Sequence, residues 1–224
     1  MTLSSNKKYI LWDMDGVIVN TEPQHYRAWE RTFRRLFGLP AIDFDKYKPC
    51  IGATLDVFRD IMLREYGIDM DENPDTRQEY IKDKLAVEEE EGFPEVPGVS
   101  ETVRLLYERG CVMAIASSSP QEYIERIARI LGIEDCFRLL FSGERVAHSK
   151  PAPDTFLEAA KGIGAKPGEC IVIEDSENGT KAAKAAGMYC IGFVNPDSGD
   201  QDLGRADVLV HEIPEVIGVI ERLP

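Results

Sequence analysis

The stretch YILWDMDG, residues 9–16, places two carboxylates directly after a short apolar run. An apolar run without strict alternation is typical of a strand buried on both faces of a parallel sheet. Ligands of such sheets bind at the carboxyl ends of the strands, where Asp13 and Asp15 would lie. Asp13 could act as a nucleophile that forms an aspartyl phosphate, and Asp15 as a proton donor and acceptor. For this motif alone, an acidic turn without chemistry is the alternative.

Glu174 and Asp175 form a second acidic pair, after the apolar run Cys170–Ile173. If parallel strands align the two acidic turns, four carboxylates converge and raise one another's pKa unless a cation neutralises them. Mg²⁺ suits such a site, because it takes carboxylate oxygens and keeps positions for water and a phosphate oxygen. Taken alone, the pair could instead cap a helix that begins near Asn178.

Three serines follow another apolar run, Val112–Ala116. Their hydroxyls, together with the amides of a following helix, predict an anion site. The pattern predicts that Ser119 is the helix N-cap and Pro120 the first helical residue. Ser117, two residues before that cap, is the better phosphate ligand.

Lys150 lies in the stretch SKPAPD, residues 149–154, in which two prolines stiffen the chain before a helix. Most lysines are solvated surface charges. A lysine held rigidly could instead offset the negative charge that a carboxylate cluster and a phosphate bring together.

Apolar runs alternate with helical periods along most of the chain, which predicts an α/β protein with a Rossmann-like, doubly wound parallel sheet. The predicted strands are Tyr9–Trp12, Val112–Ala116, Cys170–Ile173, Tyr189–Val194 and Val208–Val210.

Between residues 21 and 92 the alternation stops and only helical periods remain. A third predicted helix spans Thr76 to Val87, and we interpret the following run Glu88–Glu91 as a solvated helix end. A Pro- and Gly-rich linker comes next, at residues 92–98. We therefore expect an α/β core at residues 1–20 and 93–224, with an inserted all-helical domain at residues 21–92.

The motifs appear in a recognisable order along the chain: Asp13–Gly16, Ser117, Lys150 and then Glu174-Asp175. Together they resemble the four motifs of the haloacid dehalogenase superfamily of phosphatases and phosphomutases. The helical insertion resembles the small helical cap of that superfamily. The stretches 149–154 and 174–188 resemble its β-phosphoglucomutase-like subgroup in particular.

The resemblance implies a role for each catalytic residue. Asp13 would attack phosphorus and become transiently phosphorylated. Asp15 would be the general acid and base, and its backbone carbonyl would help to bind Mg²⁺. Ser117 and Lys150 would hold the transferring phosphoryl group.

The resemblance also implies a metal site and contacts to a small phosphorylated substrate. The expected Mg²⁺ ligands are Asp13, Asp15, Glu174 and Asp175. The expected contacts to the substrate or its phosphate are Gly16, Thr21, His25 and Ser118. Thr21 could instead simply cap the first helix of the insertion, and His25 could be a surface imidazole.

Within this subgroup the resemblance implies a phosphohydrolase of small metabolites such as sugar phosphates, with a sugar phosphomutase as the alternative. A mutase must hold a second phosphate, generally with a cap arginine that follows a glycine in a short loop. The matching stretch here is GATLD, residues 52–56, with Leu55 at the arginine position. Arg59 and Lys48 do not fit the spacing, so hydrolysis is favoured.

Three other readings fit the sequence less well. Dehalogenases of the superfamily lack the second aspartate, which is present here as Asp15. A non-enzymatic phospho-switch of the response-regulator type has its acidic pair after the first strand and its phosphoacceptor later, the reverse of this order. A calcium-binding EF-hand loop starting at Asp13 would need an acid where this chain has Gln24.

The chain has 26 Lys and Arg against 40 Asp and Glu, a net charge of −14. Such a surface repels nucleic acids and anionic membranes, so we expect neither as a partner. No apolar run approaches the ~18–20 residues that span a bilayer. Five cysteines without a CxxC pair predict no disulfide framework or zinc site and are typical of the reduced cytoplasm. A monomer is the default expectation.

Overall fold

The computed structural model describes residues 8–51 and 55–223. Within them, the strands are β1 (Tyr9–Trp12), β2 (Val112–Ser117), β3 (Leu139–Ser142), β4 (Cys170–Glu174), β5 (Tyr189–Phe193) and β6 (Val208–Val210). They form one sheet in the order β3-β2-β1-β4-β5-β6, and every adjacent pair is parallel. The predicted doubly wound parallel sheet is confirmed.

The helices occupy the segments between the strands and the insertion after β1. In chain order they are α1 (Glu22–Phe37), α2 (Phe44–Tyr47), α3 (Leu55–Tyr66), α4 (Thr76–Glu91), α5 (Val99–Glu108), α6 (Gln121–Ile130), α7 (Asp154–Gly162), α8 (Glu177–Ala185) and α9 (Glu215–Arg222).

The central position of β1 determines where the functional residues meet. Trp12 pairs with Ile115 of β2 on one side and with Ile173 of β4 on the other. Because the three strands are parallel and in register, their carboxyl ends lie side by side at one edge of the sheet. The strand order reverses at β1 and β4, the kind of crevice in which open α/β sheets bind ligands.

Strand β3 has no counterpart among the predicted strands. It is a short edge strand that pairs only with β2, and Leu139 and Leu140 are half-buried. Its run LLFS has no β-branched residue, and because leucine is equally common in helices, such a short apolar run does not identify a strand. Its last residue, Ser142, pairs with Ser117 and so lies at the functional edge.

The core around the sheet is packed closely by small residues. Helices α7 and α8 bury alanines, among them Ala159, Ala160, Ala182 and Ala183, in one cluster with Leu11 and Val172 of the sheet. Alanine side chains let a helix approach the sheet closely, which holds the chain segments that carry Lys150 and Glu174 firmly in place.

The contacts divide the described chain into two compact units. One comprises the described residues up to Asn20, Glu95–Pro196 and the described residues from Gln201 onward. The other comprises Thr21–Pro94, here called the helical insert, together with Asp197–Asp200. The last segment follows β5, yet Asp200 pairs with Lys48 of the insert at 2.9 Å. The predicted boundaries at residues 20/21 and 92/93 stay a prediction.

The helical insert has its own aromatic core. Trp29 stacks on Tyr80 with ring centroids 3.8 Å apart and lies 4.4 Å from Phe58. Aromatic ring pairs in favourable geometry add about 0.5–1.5 kcal/mol each beyond the area they bury. The insert therefore carries the hydrophobic cluster that a small separate unit needs.

The acidic end of α4 agrees with its prediction as a solvated helix end at Glu89, Glu90 and Glu91, which are exposed and end the helix, but not at Glu88. Glu88 is only 2% exposed. Glu90 forms a two-pronged ion pair with Arg31 of α1, at 2.9 and 2.6 Å. Such exposed pairs contribute only ~0–1 kcal/mol each, but they give the acidic run a defined partner.

The chain enters and leaves the helical insert at adjacent points of the core unit. Val19 and Glu95 form an antiparallel bridge, and the Val96 amide donates to the Ile18 carbonyl at 3.0 Å. The two ends of the insertion are thus bound to each other.

Among the described residues, no helix is both long and apolar enough to cross a membrane.

Candidate active site

Three buried carboxylates meet where β1 and β4 end. Asp13 follows β1, Glu174 is the last residue of β4, and Asp175 comes next. One oxygen from each lies within 4.8 Å of the others, and all three residues are buried. The two acidic turns converge as expected, but the group contains three carboxylates where the sequence predicted four. The Asp15 side chain is not part of this group, and its expected contribution was the backbone carbonyl.

Lys150 reaches into the same cluster from the loop before α7. Its Nζ donates to Glu174 Oε1 at 2.7 Å and to Asp13 Oδ1. The other Glu174 oxygen accepts from the amide and the hydroxyl of Ser176, both at 2.9 Å. Lys150 is therefore a held, largely buried cation whose charge is directed at the acids.

Burial controls the protonation of the cluster. Burial, reinforced by the charges of Glu174 and Asp15 and opposed by Lys150, raises the pKa of Asp13 to about 7. Burial alone would lower the pKa of Lys150, but the charges of Asp13 and Glu174 outweigh it and raise that pKa. One ammonium group does not fully neutralise the acids, so the cluster favours a further cation.

The donor set fits Mg²⁺. Asp13, Glu174 and Asp175 offer hard carboxylate oxygens close enough to share one ion, and no sulfur or imidazole belongs to the group. Small divalent cations with this preference usually take one or two carboxylates and keep the remaining positions for water and phosphate. The three carboxylates could therefore hold Mg²⁺ as the sequence predicts.

We expect Mg²⁺ to bind more weakly as the pH falls below about 7. The metal takes the ionised form of Asp13, and this carboxyl, with its pKa raised to about 7, holds a proton below that pH. The apparent affinity should fall about tenfold per pH unit there and level off above it. Calorimetric titration with Mg²⁺ at several pH values measures this directly.

The matched control for that titration is His148→Asn, because His148 is an exposed imidazole whose Nδ1 lies 3.1 Å from Asp154. This variant should keep the pH dependence of the parent. Equal Mg²⁺ affinity at about pH 6 and pH 8 would show that Asp13 does not control metal binding.

The serines after β2 bind Asp15. Ser119 Oγ donates to Asp15 Oδ2 at 2.6 Å, and Ser117 Oγ lies 3.5 Å from the same oxygen. The predicted N-cap role of Ser119 is wrong. Helix α6 begins at Gln121, and Pro120 occupies the N-cap position without a side-chain capping bond. The Ser119 hydroxyl donates to the Asp15 carboxylate and does not cap α6.

The chain at these serines is fixed by a close backbone contact. A Cβ on Gly143 would lie 3.2 Å from the Ser117 carbonyl oxygen and 3.3 Å from Ser118 Cα, so glycine permits the approach. Ser117 is buried, whereas Ser118 is exposed. The structure therefore brings Ser117 beside Asp15, and phosphate binding by Ser118 stays a prediction.

Gly16 is bound by Asn195, a residue that was not among those predicted from the sequence. Its φ of +86° lies in the left-handed region that favours glycine. Its carbonyl accepts a hydrogen bond from Asn195 Nδ2 at 2.8 Å, and this contact is buried. Asn195 follows β5, so the sheet joins two segments 179 residues apart. Substrate contact by Gly16 stays a prediction.

Thr21 and His25 lie in the unit that contains the helical insert. Thr21 occupies the N-cap position of α1 without a side-chain capping hydrogen bond. His25 Nδ1 lies 2.6 Å from the Tyr80 hydroxyl of α4. The capping alternative for Thr21 is therefore not supported, and the substrate contacts of both residues stay predictions.

The described part of the expected mutase loop carries no cation. Residues 52–54 lie outside the described residues, but Leu55 begins α3 and packs against the aromatic core of the insert. The two candidate substitutes have acidic partners in the same unit. Arg59 lies 3.2 Å from Asp71, and Lys48 pairs with Asp200.

Comparison with known proteins agrees with this geometry. A family model described as haloacid dehalogenase-like hydrolase matches residues 7–187. Hexitol phosphatase B of Escherichia coli K12 is 30% identical over 210 residues, which cover 92% of each chain. Fructose-1-phosphate phosphatase YqaB of the same strain is 31% identical over 184 residues, covering 81% of this chain and 94% of that protein.

A solved structure shows the same fold as this chain. A Thermotoga maritima protein, suggested by its description to be a β-phosphoglucomutase, superposes with a TM-score of 0.79. Its identity to this chain is 28%, and the match covers 97% of this chain and 100% of that one. The resemblance drawn from the motifs, including the subgroup, is confirmed.

Proposed function

Because the chain belongs to the haloacid dehalogenase-like hydrolases, we propose that it is a Mg²⁺-dependent phosphatase that acts through an aspartyl phosphate. The proposed substrates are small phosphorylated metabolites, in particular sugar phosphates. One observation carries the proposal: the buried Asp13 accepts a hydrogen bond from the cationic Lys150, and the carboxyl of Asp15, two residues later, is bound by Ser119 and can exchange a proton. That is the arrangement that attack on a phosphate monoester requires.

Each residue would contribute a distinct step. An Asp13 oxygen forms a bond to phosphorus while the bond from phosphorus to the leaving oxygen breaks. Asp15 gives its proton to that oxygen, so that a neutral alcohol departs. Asp15 then takes a proton from the water that attacks phosphorus, and phosphate leaves Asp13. Ser117 and Lys150 bind the phosphoryl oxygens throughout.

The charges at the site explain why phosphate can approach so many acids. Asp13, Glu174 and Asp175 would hold Mg²⁺, which when bound neutralises charge on the phosphoryl group. Lys150 is already held between Asp13 and Glu174 and would offset the charge of an incoming phosphoryl oxygen without a large movement. Its packing 4.6 Å from the Phe156 ring centre supports that fixed position.

Hydrolysis is supported over phosphoryl transfer between sugar positions by the residues of the insert. The position where a mutase generally carries an arginine is Leu55, which packs in an apolar cluster. The names of the related hexitol and fructose-1-phosphate phosphatases support sugar phosphates as the substrate class. Free cysteines throughout the described chain support a reduced, cytoplasmic setting.

A Mg²⁺-dependent phosphate-release screen across sugar phosphates tests the proposal. It includes β-glucose 1-phosphate with and without a bisphosphate activator, and glucose 6-phosphate formation is followed separately. We expect free phosphate from one or a few sugar phosphates and none after chelation of Mg²⁺.

Two results would contradict parts of the proposal. Glucose 6-phosphate formed without phosphate release would show that the protein is a mutase. Its second phosphate would then be held by a group other than an arginine at position 55. Turnover of non-sugar phosphates alone would overturn the substrate class and leave the phosphatase chemistry standing.

A further inference from the structure

Ser119 makes the shorter of the two serine contacts to Asp15. Its Oγ donates to Asp15 Oδ2 at 2.6 Å, a normal distance for a hydroxyl bonded to a carboxylate. Ser117 Oγ lies 3.5 Å from the same oxygen, the outer limit of a hydrogen bond. The residue that most directly fixes the Asp15 carboxyl among the serines is therefore Ser119.

The backbone of Ser119 is itself held on both sides. Its amide donates to Ser117 Oγ at 3.0 Å, and its carbonyl accepts from Ser142 Oγ at 2.7 Å. Ser142 is completely buried at the end of β3. Pro120 follows and fixes φ at −57°, after which α6 begins. The hydroxyl thus stands on a backbone with little freedom to move.

We propose that Ser119 is a positioning residue for Asp15, which it orients for proton transfer to the leaving oxygen. The proposal rests on the proposed phosphatase function. A hydroxyl that donates to Oδ2 does so whether the proton of the carboxyl resides on Oδ1 or has been given away. One hydrogen bond can therefore hold the side chain through both halves of the reaction.

The reason for expecting a measurable effect is geometric. A general acid must lie within hydrogen-bond reach of the atom it protonates, and small displacements of a catalytic group cost large factors in rate. Without the Ser119 hydroxyl, the Asp15 side chain gains rotamers in which it points away from the leaving oxygen. Only substrates whose leaving group needs a proton should register that loss.

Leaving-group dependence separates this role from a merely structural one. The variant is Ser119→Ala, and kcat/KM is compared for an alkyl sugar phosphate and for p-nitrophenyl phosphate. The parameter kcat/KM reports the steps up to alcohol release, so the later attack of water does not enter. The p-nitrophenolate anion is stable enough to leave without being protonated, whereas the leaving oxygen of a sugar must receive a proton as its bond to phosphorus breaks.

We expect Ser119→Ala to lower kcat/KM for the sugar phosphate by about 10–100-fold and for p-nitrophenyl phosphate by less than about threefold. Ser119→Thr, which keeps a hydroxyl, should restore most of the sugar phosphate activity. Ser142→Ala removes the hydrogen bond to the Ser119 carbonyl, together with the bond that Ser142 Oγ accepts from the Glu144 amide at 3.2 Å. It should produce a smaller loss with the same preference for the sugar substrate. Thermal melts confirm that each variant folds.

The outcomes distinguish this inference from the function on which it rests. Equal losses on both substrates, or no loss on either, would overturn the positioning role and leave the phosphatase function intact. A parent protein that releases phosphate from no monoester would overturn both. A selective loss that Thr does not restore would also overturn the role assigned to the hydroxyl.

Discussion

Asp13→Asn is expected to lower phosphate release by about four orders of magnitude or more, with aryl and sugar phosphates alike. The amide has nearly the shape of the carboxyl but lacks the nucleophilic oxygen that would bond to phosphorus. Replacing a buried charge also relieves the repulsion from Glu174 that contributes to the raised pKa of Asp13. The folded state should therefore survive, and the loss would reflect chemistry.

Two comparisons make the Asp13→Asn result specific. Asp60→Asn alters an exposed acid of α3 and should leave activity near that of the parent. Asp175→Asn weakens the acidic cluster, so its loss should be partly recovered at high Mg²⁺, whereas the Asp13→Asn loss should not. Phosphate release by Asp13→Asn within about tenfold of the parent would remove Asp13 from its proposed role.

Gly179→Ala should damage both folding and metal binding, although alanine normally improves a helix. Gly179 lies in the first turn of α8, and a Cβ there would overlap the Glu174 carboxylate. Relieving that overlap must move the Glu174 carboxylate out of the position in which it now pairs with Lys150. We expect the free energy of unfolding to fall by about 1–3 kcal/mol. Mg²⁺ affinity should fall by about 10–100-fold.

The control for this substitution is Gly218→Ala in α9. A Cβ at Gly218 would meet only the end of Arg222, at 3.9 Å, so there is room for it. The same change there should stabilise the protein by about 0.5–1 kcal/mol through helix propensity. Chemical denaturation and calorimetric titration with Mg²⁺ measure the two effects. A Gly179→Ala protein with parental stability and Mg²⁺ affinity would refute the tight packing of Glu174.

The acidic cluster could be predicted because its signals are local. Asp13 and Glu174-Asp175 each follow an apolar run, and parallel strands bring their carboxyl ends to the same edge of a sheet. Parallel strands that align the two turns were a sufficient assumption, and β1 and β4 are indeed neighbours in the sheet. Lys150 depended further on the resemblance, since a lysine before a helix has no distinct pattern of its own.

Ser119 shows where local rules stop. A serine before a proline and a helix is a good N-cap by sequence, and that rule assigned its hydroxyl to the helix. In the fold the hydroxyl instead meets Asp15, which lies 104 residues earlier. The Ser119 hydroxyl meets the Asp15 carboxylate because β2 lies next to β1 in the sheet. Residue preferences carry no information about this order of strands.

The same limit applies to β3 and Asn195. Strand β3 begins with two leucines and has no β-branched residue, so its short apolar run fits a helix as well as a strand. Asn195 carries no signal at all in the sequence, because an asparagine after a strand usually marks a turn. Its importance arises only from the buried hydrogen bond to the Gly16 carbonyl across the sheet.

The paired ends of the helical insert have a consequence for evolution. Val19 and Glu95 form a bridge, and the Ile18 carbonyl accepts from the Val96 amide, so residues of the core unit itself hold the two ends of the insertion together. Loop-closure cost rises only slowly with length once the ends are fixed together. Descendants of this protein could therefore lengthen, shorten or exchange the insert without altering the part of the core unit that holds the buried carboxylates.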